Sequence, residues 1–162
     1  VKIKLAAIAL AICALGISNP VLAASHKPHR ADAIGVICIY VNGNLCIATH
    51  GTGNRVTLDT QSNDTLFDLQ PATGSGNYKL KVFNSTHCLT VSANDFVLSD
   101  DCQQGNGNQV WHRISTGSFR YTFNIQGTNP LYMGVNNPPF AGQDVQAINN
   151  PGNGFDYGWL SP

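Results

Sequence analysis

Two separate landmarks recur three times along this chain at one shared interval, and that periodicity restricts the fold more than any local motif does. The first landmark is a hairpin pattern. An alternating strand, a short polar turn and a second strand occupy Val36 to Thr49, Tyr78 to Ser92 and Tyr121 to Val135. The turns Asn42-Gly43-Asn44, Asn84-Ser85-Thr86 and Gly127-Thr128-Asn129-Pro130 are built from residues that accept turn geometry. With Cys46, Cys88 and Tyr132 taken as equivalent, the intervals are 42 and 44 residues. The second landmark is an aromatic that closes each unit. After each hairpin come a polar loop, a short apolar segment (Val56-Thr57-Leu58, Phe96-Val97-Leu98, Val145-Gln146-Ala147) and a further loop. Phe67, Trp111 and Trp159 then follow, at intervals of 44 and 48 residues.

Four short strands per unit and three units give twelve strands. A closed all-β arrangement with threefold pseudosymmetry accommodates them while leaving few exposed edges. The expected fold is a β-trefoil spanning 34–162, with repeats at about 34–75, 76–117 and 118–162. A β-sandwich with chance repeats is the competing architecture, but it does not explain why both landmarks return in order. Composition agrees with strands and turns: all nine acidic residues are Asp, Glu is absent, and Asn, Gly, Ser and Thr are abundant. The closing aromatics Phe67, Trp111 and Trp159 read as anchors of a shared core.

The segment before the repeats reads as an address. Val1 to Ala23 carries Lys2 and Lys4, then the apolar run Leu5 to Ile17, then the small-residue site Val21-Leu22-Ala23. This is the pattern of a secretory signal peptide. The apolar run of 13 residues is shorter than the roughly 20 that a membrane-spanning helix needs. Cys13 follows a bulky Ile12 and does not read as a lipidation site. The expectation is a secreted or periplasmic protein with a flexible mature N-terminus at 24–33; the opening Val fits a bacterial alternative start codon, and a fragment boundary would look the same. Removal of 1–23 leaves seven basic against nine acidic side chains, a net charge of −2. No positive field exists to hold nucleic acid. Four cysteines remain, Cys38, Cys46, Cys88 and Cys102, which in an exported chain reads as two disulfides with three possible pairings. No Cys-x-x-Cys pair exists and the histidines are scattered, so no metal and no cofactor are implied.

At Cys88 to Trp111 the chain resembles one repeat of the ricin B-chain type β-trefoil lectins. The residues that carry the likeness are Cys88-Leu89-Thr90-Val91, then Val97 to Cys102, then Asn108-Gln109-Val110-Trp111 with the Gln-x-Trp that closes each repeat of that family. Thr65-Leu66-Phe67 and Tyr157-Gly158-Trp159 hold the same place in the other units and lack the Gln. The resemblance implies a Cys88–Cys102 bridge, with Cys38 and Cys46 left for each other across the first hairpin. A looser likeness, through Leu66 to Pro71, Asp95-Phe96 and Asp101-Cys102, is to the ricin-like binding subunits of bacterial cytolethal distending toxins. That likeness implies a noncatalytic subunit that docks on a host surface.

Sugar recognition needs a carboxylate and amides that fix the hydroxyls, with an aromatic face against the ring. The resemblance places the pocket carboxylate where Ala48, Thr90 and Gly134 stand, and the stacking aromatic at Asp100, Thr60 and Ile148. The completing amide falls at Asn108. The second unit therefore keeps most of a pocket, Thr90, Asp100, Asp101 and Asn108, with one of the two Asp replacing the missing carboxylate; Gln109 is expected to bond backbone inside the fold. The loop Asn136-Asn137-Pro138-Pro139-Phe140 has an apolar tip that reads either as an interaction site or as a plug at the trefoil base. No nucleophile elbow, phosphate-cradling Gly-Lys motif or triad spacing appears, so the chain reads as no enzyme. The expected partners are a glycan or glycosylated receptor and other subunits of a toxin complex; a sugar-free docking scaffold or a protease inhibitor is the alternative.

Overall fold

A computed structural model describes residues 34–60, 65–149, 152, 154–156 and 158–161. The expected signal peptide and the mature N-terminus lie outside the described residues, as does Tyr157. Among the described residues fifteen strands form: β1 (Ile34–Gly35), β2 (Cys38–Ile39), β3 (Leu45–Ala48), β4 (Asn54–Arg55), β5 (Thr57–Thr60), β6 (Phe67–Pro71), β7 (Asn77–Val82), β8 (His87–Val91), β9 (Val97–Asp101), β10 (Trp111–Gly117), β11 (Arg120–Ile125), β12 (Leu131–Asn136), β13 (Gln146–Asn149), β14 (Phe155–Asp156) and β15 (Trp159–Leu160).

Their pairing closes a barrel. With β1 and β2 as two halves of one first strand, the cycle runs β1/β2, β6, β7, β10, β11, β15 and back to β2, every neighbour antiparallel. The hairpins β3·β5, β8·β9 and β12·β13 supply one further strand pair per repeat. This is the β-trefoil read from the repeats: twelve strands, with β1 and β2 counted as one, and β4 and β14 as short extras.

The first strand, expected as one run from Val36 to Val41, is instead broken. Gly35 pairs with Phe67 of β6 whereas Cys38 and Ile39 pair with Leu160 and Trp159 of β15, so the chain changes partner between them. It then tightens into a 3-10 turn at Tyr40–Asn42 before re-entering at β3. Both disulfides form: Cys38–Cys46 ties the two strands of this hairpin, and Cys88–Cys102 closes β8 onto the end of β9. For a 14-residue separation the chain-entropy account gives about 3 kcal/mol of stabilisation.

Register confirms the equivalence of the three units. Cys46, Cys88 and Tyr132 lie opposite Asp59, Asp100 and Ile148. The first-unit counterpart of Asp100 is therefore Asp59, not the expected Thr60. The shift escapes the sequence because it is set by hairpin pairing rather than by loop length.

The pseudo-threefold axis is marked by backbone alone. Val56 N–H donates to the Val97 carbonyl (2.9 Å), Val97 N–H to Val145 (3.0 Å), and Val145 N–H back to Val56 (2.8 Å). All three valines are fully buried. Around them pack Ile37, Leu58, Leu80, Leu89, Phe123 and Met133, with Phe67, Trp111 and Trp159, each 0% exposed. The two tryptophans also satisfy buried carbonyls: Trp111 Nε1 donates to Leu89 O (3.0 Å) and Trp159 Nε1 to Met133 O (2.9 Å). Phe67 has no such donor, and in its repeat the equivalent Ile47 carbonyl accepts from the Thr65 backbone N–H at 3.2 Å. Trp111→Phe therefore leaves Leu89 O unsatisfied; urea unfolding of the variant is expected to show a loss of about 2 kcal/mol or more, and a loss under half of that would contradict this role.

Candidate functional site

The second repeat gathers most of the residues singled out in sequence, and a buried glutamine organises them. Gln109, 0% exposed, sits in the 3-10 turn Gly107–Gln109 that packs against β8. Its Oε1 accepts from Gln103 N–H (2.8 Å), while its Nε2 donates to Asp101 O (2.8 Å) and to Thr90 Oγ1 (2.9 Å). One side chain thereby joins the end of β9, the loop beyond it and the middle of β8. Gln109 bonds backbone as expected, and in addition bonds Thr90.

Thr90 belongs to this scaffold. It is 8% exposed, and its hydroxyl also donates to Cys88 O at 3.2 Å. A buried hydroxyl with both roles occupied offers nothing to a ligand at the surface, so Thr90 supports the site rather than lining it. In the first repeat the corresponding closure is smaller: Thr65 Oγ1 accepts from Thr49 N–H (3.0 Å) and shares a hydrogen bond with Thr49 Oγ1 (3.1 Å).

The remaining three residues face outward. Asp100, opposite Cys88 on β9, is half-buried, and its Oδ1 accepts from Asp101 N–H at 2.8 Å. The equivalent Asp59 holds Thr60 N–H the same way at 2.7 Å, so the carboxylate geometry is common to two repeats. Asp101 is exposed and ends the strand beside the 3-10 turn. Asn108 is exposed on that turn; its backbone N–H is capped by Asn106 Oδ1 (3.0 Å). The turn is thus capped through the Asn106 side chain, with Asn108 exposed on it.

Three contributors escaped the sequence reading. His87 lies directly across from Asp101, with Nε2 3.7 Å from Asp101 Oδ1, and the same nitrogen hydrogen-bonds Thr52 Oγ1 at 2.6 Å. Thr52 comes from the glycine-flanked loop of the first repeat, 35 residues away in sequence. Nothing local foretells that contact. Lys79 also reaches in, its Nζ donating to Gln103 O at 2.6 Å. The result is a polar ledge of Asp101, His87 and Thr52 on a disulfide-tied frame, with Asn108 on the adjoining 3-10 turn and Asp100, one residue back along β9, on the other face of the strand. Asp100 stands where the ricin-type resemblance places a stacking aromatic, and a carboxylate offers no ring face there. Among the described residues no group of three or more His, Cys or Asp stands ready to hold a metal ion.

The apolar tip of the 136–140 loop is resolved as a projection rather than a plug, because Phe140 is 60% exposed. Gln143 fixes the loop from within, donating from Nε2 to Asn136 O (2.9 Å) and accepting at Oε1 from Phe140 N–H (3.2 Å).

No family of known proteins matches the sequence, and no curated protein matches it. Solved structures do. A designed threefold-symmetric protein, ThreeFoil, superposes with a TM-score of 0.65 at 21% identity, over 78% of this chain and 95% of that one. The cytolethal distending toxin of Haemophilus ducreyi matches at 0.66 and 11% identity, over 83% and 86%. A Polyporus squamosus lectin, solved with a sialylated human-type influenza-binding epitope, matches at 0.65 and 15% identity, over 80% of this chain and 48% of its own.

Gln109→Leu, which keeps the volume and removes all three bonds, is expected to cost about 2–4 kcal/mol in denaturant unfolding and to speed amide exchange at Gln103 and Asp101. An unchanged midpoint would mean that the ledge does not depend on it. With the threefold ring of hydrogen bonds, the closed barrel and these neighbours together, the chain is a β-trefoil whose second repeat carries a polar ledge.

Proposed function

We propose that this chain is an exported, noncatalytic glycan-binding module of the lectin type, serving as the cell-surface-binding subunit of a bacterial toxin. The observation that carries the reading is the division of labour in the second repeat. Thr90 and Gln109 are consumed by the frame, while Asp100, Asp101 and Asn108 are held at its surface with hydrogen-bonding capacity to spare. Fixed carboxylate and amide groups on a rigid base are what sugar hydroxyls require. With no aromatic at the Asp100 position, affinity rests on directional hydrogen bonds, and multivalent display strengthens it.

Export is supported by the secretory pattern of 1–23 and by two disulfides, which persist in oxidising compartments. Among the described residues no helix is long and apolar enough to cross a membrane. The role as toxin subunit draws on the fold shared with the Haemophilus ducreyi toxin and on the looser sequence likeness at Leu66 to Cys102.

The test is binding of the oxidised protein to a multivalent glycan array, beside Asn108→Ala and Asp100→Ala variants shown by circular dichroism to be folded. The expected outcome is one defined glycan class, with signal reduced at least about tenfold by either substitution, about 1.4 kcal/mol per site. A folded protein silent across the array, or binding indifferent to both variants, would turn the assignment toward a sugar-free docking scaffold.

A further inference from the structure

One face of the barrel carries a knob and a hole side by side. The hole is an open groove of about 450 Å³ whose wall includes Phe119 itself beside Gly35, Val36, Cys38, Gly43, Leu160 and Ser161. Its origin lies in the repeats. Tyr78 and Tyr121 stand opposite Trp111 and Trp159, and the Arg113 guanidinium lies 5.0 Å and 4.5 Å from their rings. The equivalent residue opposite Phe67 is Gly35, which has no side chain to fill the corresponding space. On the groove wall Ser161 is 9% exposed, and its Oγ has no hydrogen-bond partner among the described residues.

The knob is Phe119, at the tip of the β10–β11 hairpin. It is 76% exposed and has φ 59°, a left-handed conformation that glycine adopts freely and a bulky residue rarely does. A single chain thus holds an aromatic ring in a strained position without burying it. Next to it, Arg120 stacks on the Tyr40 ring at 4.6 Å, and both Tyr40 and Val41 are about half exposed.

We propose that this face is an interface between two copies of the chain, each seating Phe119 in the other's groove about a twofold axis. A surface that bears knob and hole together is complementary to its own twofold-related copy, which makes the contact isologous and closed. The groove lining carries no ionisable side chain, and the adjacent cation Arg120 lies over the Tyr40 ring, so the shared surface is apolar where the knob would enter. A side chain that fills a well-packed, desolvated pocket is where binding energy concentrates at an interface. The dimer would present two second-repeat ledges at once, the multivalency that a site without a stacking ring needs.

Sedimentation velocity and light scattering of the oxidised full chain, from low to high micromolar concentration, test this directly. The expected result is a concentration-dependent doubling of mass. Phe119→Gly, which suits the left-handed backbone and so preserves the fold, is expected to weaken association at least about tenfold. Val36→Asp, checked for folding by circular dichroism, should do the same from the groove side, while Phe140→Ser, an exposed aromatic outside the groove, leaves it unchanged. A monomer at every concentration, a dimer indifferent to Phe119→Gly, or one indifferent to folded Val36→Asp would each overturn the proposal.

Discussion

Three backbone hydrogen bonds, Val56 to Val97 to Val145 and back to Val56, are the constraint on which the rest of this structure depends. Each repeat alone has an unsatisfied valine N–H and carbonyl at its inner end; only three repeats, arranged in a ring, satisfy all of them. Burying those groups unpaired would be costly, so the three units close together or not at all. The neighbouring pairs follow the same cycle: Thr57 lies opposite Asp144, Leu98 opposite Arg55 and Gln146 opposite Phe96. Even the residues just before the valines meet across the axis. Arg55 stacks at 3.6 Å over the Phe96 ring and pairs with Asp144 at 2.7 Å, three equivalent positions carrying three different chemistries.

That ring frees the surface to diverge. Once threefold closure is guaranteed by backbone, each repeat needs only an apolar anchor and a satisfied carbonyl beneath it. Two repeats meet that need with an indole, and the first with Phe67 and the Thr65 N–H. The second repeat adds the Gln109 network and the Cys88–Cys102 bridge, which hold β8, β9 and the 3-10 turn in fixed relation. Where the frame is most tightly tied, surface polar groups are best preorganised, and Asp100, Asn108 and the ledge of Asp101, His87 and Thr52 lie there. The first repeat departs in the other direction: Gly35 replaces a tyrosine, and a groove results.

The architecture was legible because periodicity and core anchoring are written residue by residue. Phe67, Trp111 and Trp159 could be aligned by interval, and each closes its repeat in the core. Both disulfides followed the family likeness. The finer features were hidden for identifiable reasons. Asp59 aligns with Asp100 only through hairpin register, which loops of unequal length obscure. The partner change that breaks the first strand depends on β15, more than 100 residues away in sequence. Thr90 looked like a ligand group because its position matched a pocket; its burial beneath Gln109 is a tertiary fact. His87 and Thr52 meet across a repeat boundary, and neither carries a local signature.

The most direct measurement of the central claim is amide chemical-shift mapping of the oxidised, isotopically labelled protein during titration with a mixture of galactose-, N-acetylglucosamine- and sialic-acid-terminated oligosaccharides. The account predicts saturable shifts concentrated at His87, Asp100, Asp101 and Gln103 to Gln109, with the core valines unmoved. Shifts centred instead on the 136–144 loop or on the first or third repeat, or no shifts at high sugar concentration, would contradict it.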